Sequence, residues 1–206
     1  ITVILASVIF LGFDPKYLGF YVGATLMFVM GLIDDIFDIR ARYKLVGQII
    51  AVALAMFLGL TIQFVTGQGG TVMSIGILSL PLTFLWLLGV TNAINLIDGL
   101  DGLSGGVAAI ASITLGIVAL GEGRTEVAAL AFIFAAATIG FLPHNFSKDK
   151  KMFIGDSGSQ FLGFSLAALS ILGVTKVAAT FTMLAPIMIL AIPIFDTCYA
   201  IVRRAK

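Results

Sequence analysis

Three acidic clusters are the residues of this sequence best suited to chemistry. The first is GLIDDIFDIR, residues 31–40, with Asp34 and Asp35 adjacent and Asp38 close behind. On a continuous helix Asp38 shares a face with both of them. Like charges within two turns repel, and a carboxylate near hydrocarbon costs roughly 2.5–3.5 kcal/mol. The cluster therefore calls for a cation: Arg40, Arg42, Lys44 or a metal ion. A solvated helix end with internal ion pairs meets the same demand.

The second cluster is NAINLIDGLDGLSGG, residues 92–106. Asn92 and Asn95 stand three apart, and Asp98 and Asp101 repeat that spacing, each followed by glycine. The glycines disfavour a plain helix there and let backbone approach a ligand closely. Ser104 is placed to cap the following span. The third cluster, MFIGDSGSQFLGF, residues 152–164, sets Gly155, Asp156, Ser157, Gly158 and Ser159 just before an apolar run. Free backbone N–H groups at a helix start make an anion site. Asp156 serves there as a cap or as a metal ligand.

Carboxylate oxygens are hard donors that suit Mg²⁺ or Mn²⁺. One His and one Cys leave no zinc set. Acids, amides, a helix start and the nearby Lys148, Lys150 and Lys151 together suggest a diphosphate substrate. The matching reaction is phosphoryl transfer, driven by positioning and charge neutralisation. The residues alone do not name the substrate.

What positions these clusters follows from composition. Of 206 residues, 60% are hydrophobic and 11% charged, against about 25% charged in a soluble domain. Mean hydropathy is +1.13. That excludes an ordinary soluble globule, and a net charge of +1 gives no reason to expect nucleic acid. The expectation is an all-α polytopic membrane protein, because backbone in lipid must satisfy its own hydrogen bonds. Eight apolar runs are expected as spans: 1–13, 17–33, 45–65, 81–97, 105–121, 126–142, 160–174 and 177–201. The β-type residues around Gly67, Gly69 and Gly70 predict a small extracytoplasmic β-hairpin near 62–78.

Basic residues orient the spans. Arg40, Arg42, Lys44, Lys148, Lys150, Lys151, Arg203, Arg204 and Lys206 fall on one side; Lys16, Arg124 and Lys176 fall on the other. This bias puts the first side in the cytoplasm. Most of the acids fall on that side too. Acids contribute little to topology, so a function at that face explains the sorting better.

At the three motifs the chain resembles the polyprenyl-phosphate N-acetylhexosamine 1-phosphate transferases, glycosyltransferase family 4. GLIDDIFDIR, NAINLIDGLDGLSGG and FIGDSGS occur in the family's order, and the likeness covers nearly the whole chain. Within the family it is similar to the bacterial undecaprenyl-phosphate N-acetylglucosamine 1-phosphate transferases, which start cell-surface polymers.

The resemblance implies an enzyme of the bacterial cytoplasmic membrane with its site on the cytoplasmic face. It would transfer a sugar 1-phosphate from a UDP-sugar to undecaprenyl phosphate, release UMP and require Mg²⁺, with Mn²⁺ as a substitute. By motif position Asp34 and Asp35 match the catalytic acidic pair, and Asp98 and Asp101 the second acidic motif. Asp156 matches the metal-binding Asp, with Asp35 as a second candidate ligand. Lys44, opening KLVGQ, matches a lysine near the site. Asn95 and Phe153 match nucleotide-binding positions, Phe153 as a stacking face for uracil; Asn92 and Ser157 complete the substrate-binding expectation. A homodimer is compatible with this reading.

The family pattern extends beyond both ends of this sequence, with further spans before it and a His-containing loop after Lys206. Residues 1–206 are thus expected to be a single transmembrane catalytic domain lacking those parts. Two alternatives stand beside the transferase. One is the related enzyme acting on UDP-N-acetylmuramoyl-pentapeptide. The other is an ion-coupled transporter, which would place acids near the bilayer midplane and show an inverted repeat.

Overall fold

The computed structural model describes residues 2–11, 14–66, 72–74 and 76–173. Seven α-helices form there: α1 (Thr2–Leu11), α2 (Leu18–Phe37), α3 (Ala41–Phe57), α4 (Ser79–Ile97), α5 (Leu103–Gly121), α6 (Thr125–Asn145) and α7 (Gly155–Gly173). Between α3 and α4, strands β1 (Phe64–Thr66) and β2 (Val72–Ser74) pair antiparallel, Val65 opposite Met73. The turn between them lies outside the described residues, as does the expected span 177–201.

Among the described residues, four helical segments are long and apolar enough to cross a membrane: Pro15–Phe37, Gly76–Ile97, Leu103–Gly121 and Thr125–Asn145. Ile36, Phe37, Leu85, Ile110 and Ile117 on them face outward. Exposed apolar side chains in such number suit lipid rather than water. The chain is a multi-pass membrane protein. The expected run 45–65 is shorter than anticipated, since α3 ends at Phe57. α2 is longer, reaching Phe37, and α7 starts at Gly155 rather than near 160.

α7 is the axis of the bundle. It packs on α2, α4, α5 and α6, and Ser159, Gln160 and all residues from Leu162 to Ser170 are buried. A central helix touches neighbours on every side, so it needs small residues rather than one apolar stripe. Polar groups in it must find partners. Ser170 donates to Ala167 O (2.7 Å) and accepts from Trp86 Nε1 (2.9 Å). Trp86 thereby ties α4 to α7. Gly31 sets the approach of α2: a Cβ there would run into the backbone of Asp156 and Ser157. The lack of a side chain at Gly31 brings the end of α2 onto the start of α7.

Candidate active site

The ends of α2 and α4 and the starts of α3 and α7 meet at one end of the bundle, and the three acidic motifs meet with them. Asp34, in the last turn of α2, is 9% exposed. Its Oδ1 accepts from Ile39 N (3.1 Å), which folds the chain back over the helix end. Asp38 does not share its face. It adopts a left-handed conformation (φ 47°) and terminates α2, so the helix face expected to join it to Asp34 and Asp35 does not form. The reason is the sharp reversal that α3 needs to return alongside α2.

Lys44, in the first turns of α3, supplies the cation that the acids require. Its Nζ lies 2.8 Å from Asp34 Oδ2 and 2.5 Å from Asp156 Oδ1. Asn95 on α4 donates Nδ2 to the same Asp156 oxygen and to Ser159 Oγ (2.7 Å). Four helices thus converge on Asp156. A partly buried lysine between two carboxylates is held by their opposite charge, which offsets much of the desolvation penalty.

Asp35 takes a different role in the geometry. Its Oδ1 accepts from Asp156 N (2.7 Å) and its Oδ2 from Ser157 N (3.0 Å). The anion site expected at this helix start is real, but the chain's own carboxylate fills it. Charge and dipole favour that arrangement. Gly155 permits it twice over: its φ is +67°, and a Cβ there would lie 2.9 Å from Asp35 Oδ2. Ser157 enters the site through its backbone N–H.

The second motif splits between depths. Asn95 joins Asp156, whereas Asn92 sits one turn deeper and donates to Gln48 Oε1 (3.0 Å) and Leu88 O (2.8 Å). Asp98 accepts from Ser104 Oγ. Ser104 therefore does not cap α5; Gly102, in a left-handed conformation, stands at that cap. Burial pushes the Asp98 carboxyl above its usual range. The Ser104 hydroxyl opposes this, and the negative charges of Asp156 and Asp35 add to the rise. Asp101 stands apart, exposed, with Lys151 Nζ at 2.6 Å.

Phe153 is 73% exposed, and Lys151 Nζ lies 4.9 Å from its ring centre. The loop carrying it is anchored by a residue that sequence reading missed. Asn145, buried at the end of α6, accepts from Gly102 N (2.6 Å) and donates to Met152 O (2.8 Å). Gln48 and Gln160 were also missed. Gln48 Nε2 donates to Gln160 Oε1 (3.2 Å), and both are buried. Their one visible signal is an amide inside an apolar run.

The donor set is suited to a hard divalent cation. Among the described residues no three acidic, His or Cys side chains form a ready cage. Mg²⁺ does not need one: it keeps several waters and takes one or two carboxylates. The repulsion that Asp98 feels from Asp156 and Asp35 is the kind of field such an ion relieves.

The glycosyl transferase family 4 model matches residues 17–174, which hold every element of this site. A probable undecaprenyl-phosphate N-acetylglucosaminyl 1-phosphate transferase of Bacillus subtilis is 40% identical over 98% of this chain and 56% of its own length. A decaprenyl-phosphate N-acetylglucosaminephosphotransferase of Mycolicibacterium smegmatis is 31% identical over 90% of this chain and 51% of its own. A phospho-N-acetylmuramoyl-pentapeptide-transferase of Synechococcus is 36% identical over 82% and 52%. The chain spans about half the length of these curated relatives. It belongs to glycosyl transferase family 4.

Proposed function

We propose that this chain carries the catalytic face of an enzyme that transfers N-acetylglucosamine 1-phosphate from UDP-N-acetylglucosamine to undecaprenyl phosphate, releases UMP and so starts a cell-wall or surface polymer. The observation that carries the reading is the convergence of Asp34, Lys44, Asn95 and Asp156 from four helices at one end of the bundle. That end is the one that the basic residues assign to the cytoplasm. The same reading takes the β1–β2 pair as extracytoplasmic and the enzyme as compatible with a homodimer.

Mg²⁺, or Mn²⁺ in its place, would be held by Asp156 with Asp98 or Asp35, and when bound it neutralises charge on the diphosphate oxygens. The chain's own residues do the rest. An oxygen of the lipid phosphate forms a bond to the sugar-linked phosphorus of the UDP-sugar. The bond from that phosphorus to UMP breaks, and UMP leaves. Asp34 or Asp35 accepts a proton from the lipid phosphate in a direct attack; a covalent phospho-enzyme would use one of them as nucleophile. Lys44 swings its ammonium between carboxylate and phosphate oxygens, so charge is balanced before and after binding. Asp101, with Lys151, borders the nucleotide region. Phe153 offers its outer face to uracil.

The lipid tail lies in apolar surface beside the site. A cavity of about 300 Å³ bounded by Phe134, Phe141, Phe161 and Leu162 opens next to Phe153 and Ile154. The acids cluster at helix ends at one face, which favours surface chemistry over transport across the midplane. Membranes carrying the full-length protein, incubated with labelled UDP-N-acetylglucosamine and undecaprenyl phosphate, are expected to yield a labelled lipid only with Mg²⁺. Product from UDP-N-acetylmuramoyl-pentapeptide alone would assign the related reaction, and ion flux without product would assign a transporter.

A further inference from the structure

One turn beneath the charged groups lies a second layer, made of amides. Lys44 and Gln48 are four residues apart on α3, Asp156 and Gln160 four apart on α7, and Asn95 and Asn92 three apart on α4. Lys44, Asp156 and Asn95 therefore each have an amide below them on the same helix face. The amides bond to one another across the three helices: Asn92 Nδ2 to Gln48 Oε1 (3.0 Å), and Gln48 Nε2 to Gln160 Oε1 (3.2 Å). Gln48 is 1% exposed and Gln160 0%.

α3 packs closely on α2, with Gly19 and Gly23 against Ala55 and Gly47 against Met30, whereas its direct links to α7 are polar. Its buried apolar residues are Ala51, Val52 and Ala55, a small smooth face, and it packs on α2 and α4. Long side chains, Lys44 and Gln48, carry it across to α7. In lipid there is little hydrophobic penalty for a small-residue face to slip, whereas a directional hydrogen bond sets register. Gln48 is the central member, bonded to both neighbours. Gln160 Nε2 has no partner among the described residues, and Gln48 is the group that holds Gln160 Oε1.

We infer that Gln48, clasped between Asn92 and Gln160, is a positioning residue that fixes α3 so that the Lys44 ammonium sits between Asp34 and Asp156. This deepens the proposed transferase reading and rests on it for its activity arm. A misplacement of about 1 Å at a reacting group costs on the order of a hundredfold in rate.

The test uses the full-length protein and the variants Gln48→Leu and Gln48→Leu/Gln160→Leu. UMP release from UDP-N-acetylglucosamine and undecaprenyl phosphate gives kcat and KM. Labelling of Lys44 by an amine-reactive reagent, read by mass spectrometry, reports its position without any substrate. Gln48→Leu is expected to lower kcat at least about tenfold, leave KM for the UDP-sugar within about twofold, and raise the Lys44 labelling rate several-fold. The double variant removes both buried glutamines and leaves Asn92 Nδ2 its bond to Leu88 O, yet is expected to stay as slow as the single one. Wild-type kcat with unchanged labelling in Gln48→Leu would overturn the inference. So would recovery of wild-type turnover in the double variant, which a purely structural role predicts. A wild-type protein inactive on both UDP-sugars would sink the transferase reading, while the labelling result would still decide the role of Gln48.

Discussion

Two lysines in this molecule each hold two carboxylates, at opposite ends of α2, and they differ in nearly everything except composition. Lys16 pairs with Asp14 (2.9 Å) and Glu126, and Tyr17 donates to the same Glu126 (2.8 Å). Its side chain is 49% exposed and its partners 40% and 52%. Lys44 is 16% exposed, with Asp34 at 8% and Asp156 at 33%. Water and salt screen the first trio, which a loop and two helix starts bring together at the surface. The second is held by Gly31, Gly155 and Asn95, and its charges are removed from much of their solvent. A fold does not accept that penalty for stability alone, because well-packed apolar residues would serve as well or better. On the proposed reading, the difference separates an ion pair that decorates an end of the bundle from one retained for chemistry.

Lys44→Met strains the contrast most. It strands two carboxylates, and is expected to abolish turnover and to destabilise by about 2–3 kcal/mol. The figure lies below that for a fully buried pair because Asp156 keeps some solvent. Turnover and thermal unfolding in detergent check both parts. Gly31→Ala should follow. Its Cβ must push α2 off the Asp156–Ser157 backbone, at a cost of about 1–3 kcal/mol, and it loosens Asp35 from the start of α7. Unfolding temperature and kcat are expected to fall together. Asp101→Asn breaks an exposed pair with Lys151 and is expected to change stability by less than about 1 kcal/mol. Its effect should appear in KM for the UDP-sugar rather than in unfolding. Lys16→Ala is expected to change least, and that little should vanish at high salt. Equal losses from Lys16→Ala and Lys44→Met would break the comparison outright.

The sequence made the acids legible because carboxylates and amides stand out against 60% apolar residues. The basic residues add an expected side for them. Lys44 was identifiable both as a cation for the first motif and by family likeness. What it hid were relations across long separations. Nothing near Asp35 says that its carboxylate will cap a helix 120 residues later. Nothing near Gln48 names Gln160 as its partner. Ser104 had the right type and place for a cap, but Asp98 competes for its hydroxyl and a left-handed Gly102 ends the turn. Span ends shifted for a similar reason: the acids at the ends of α2 and the start of α7 are paired with cations or N–H groups, so helix continues through residues that composition alone places in loops.

On the proposed reading Asp34, Lys44, Asn95 and Asp156 form one catalytic centre with Asp156 at its focus. The most direct measurement is Mg²⁺-dependent UMP release by the full-length Asp156→Asn variant, which keeps the size of the side chain and removes its charge. A loss of at least about a hundredfold in kcat is expected, with the protein still folded. Turnover at the wild-type level, with the same dependence on Mg²⁺, would contradict it.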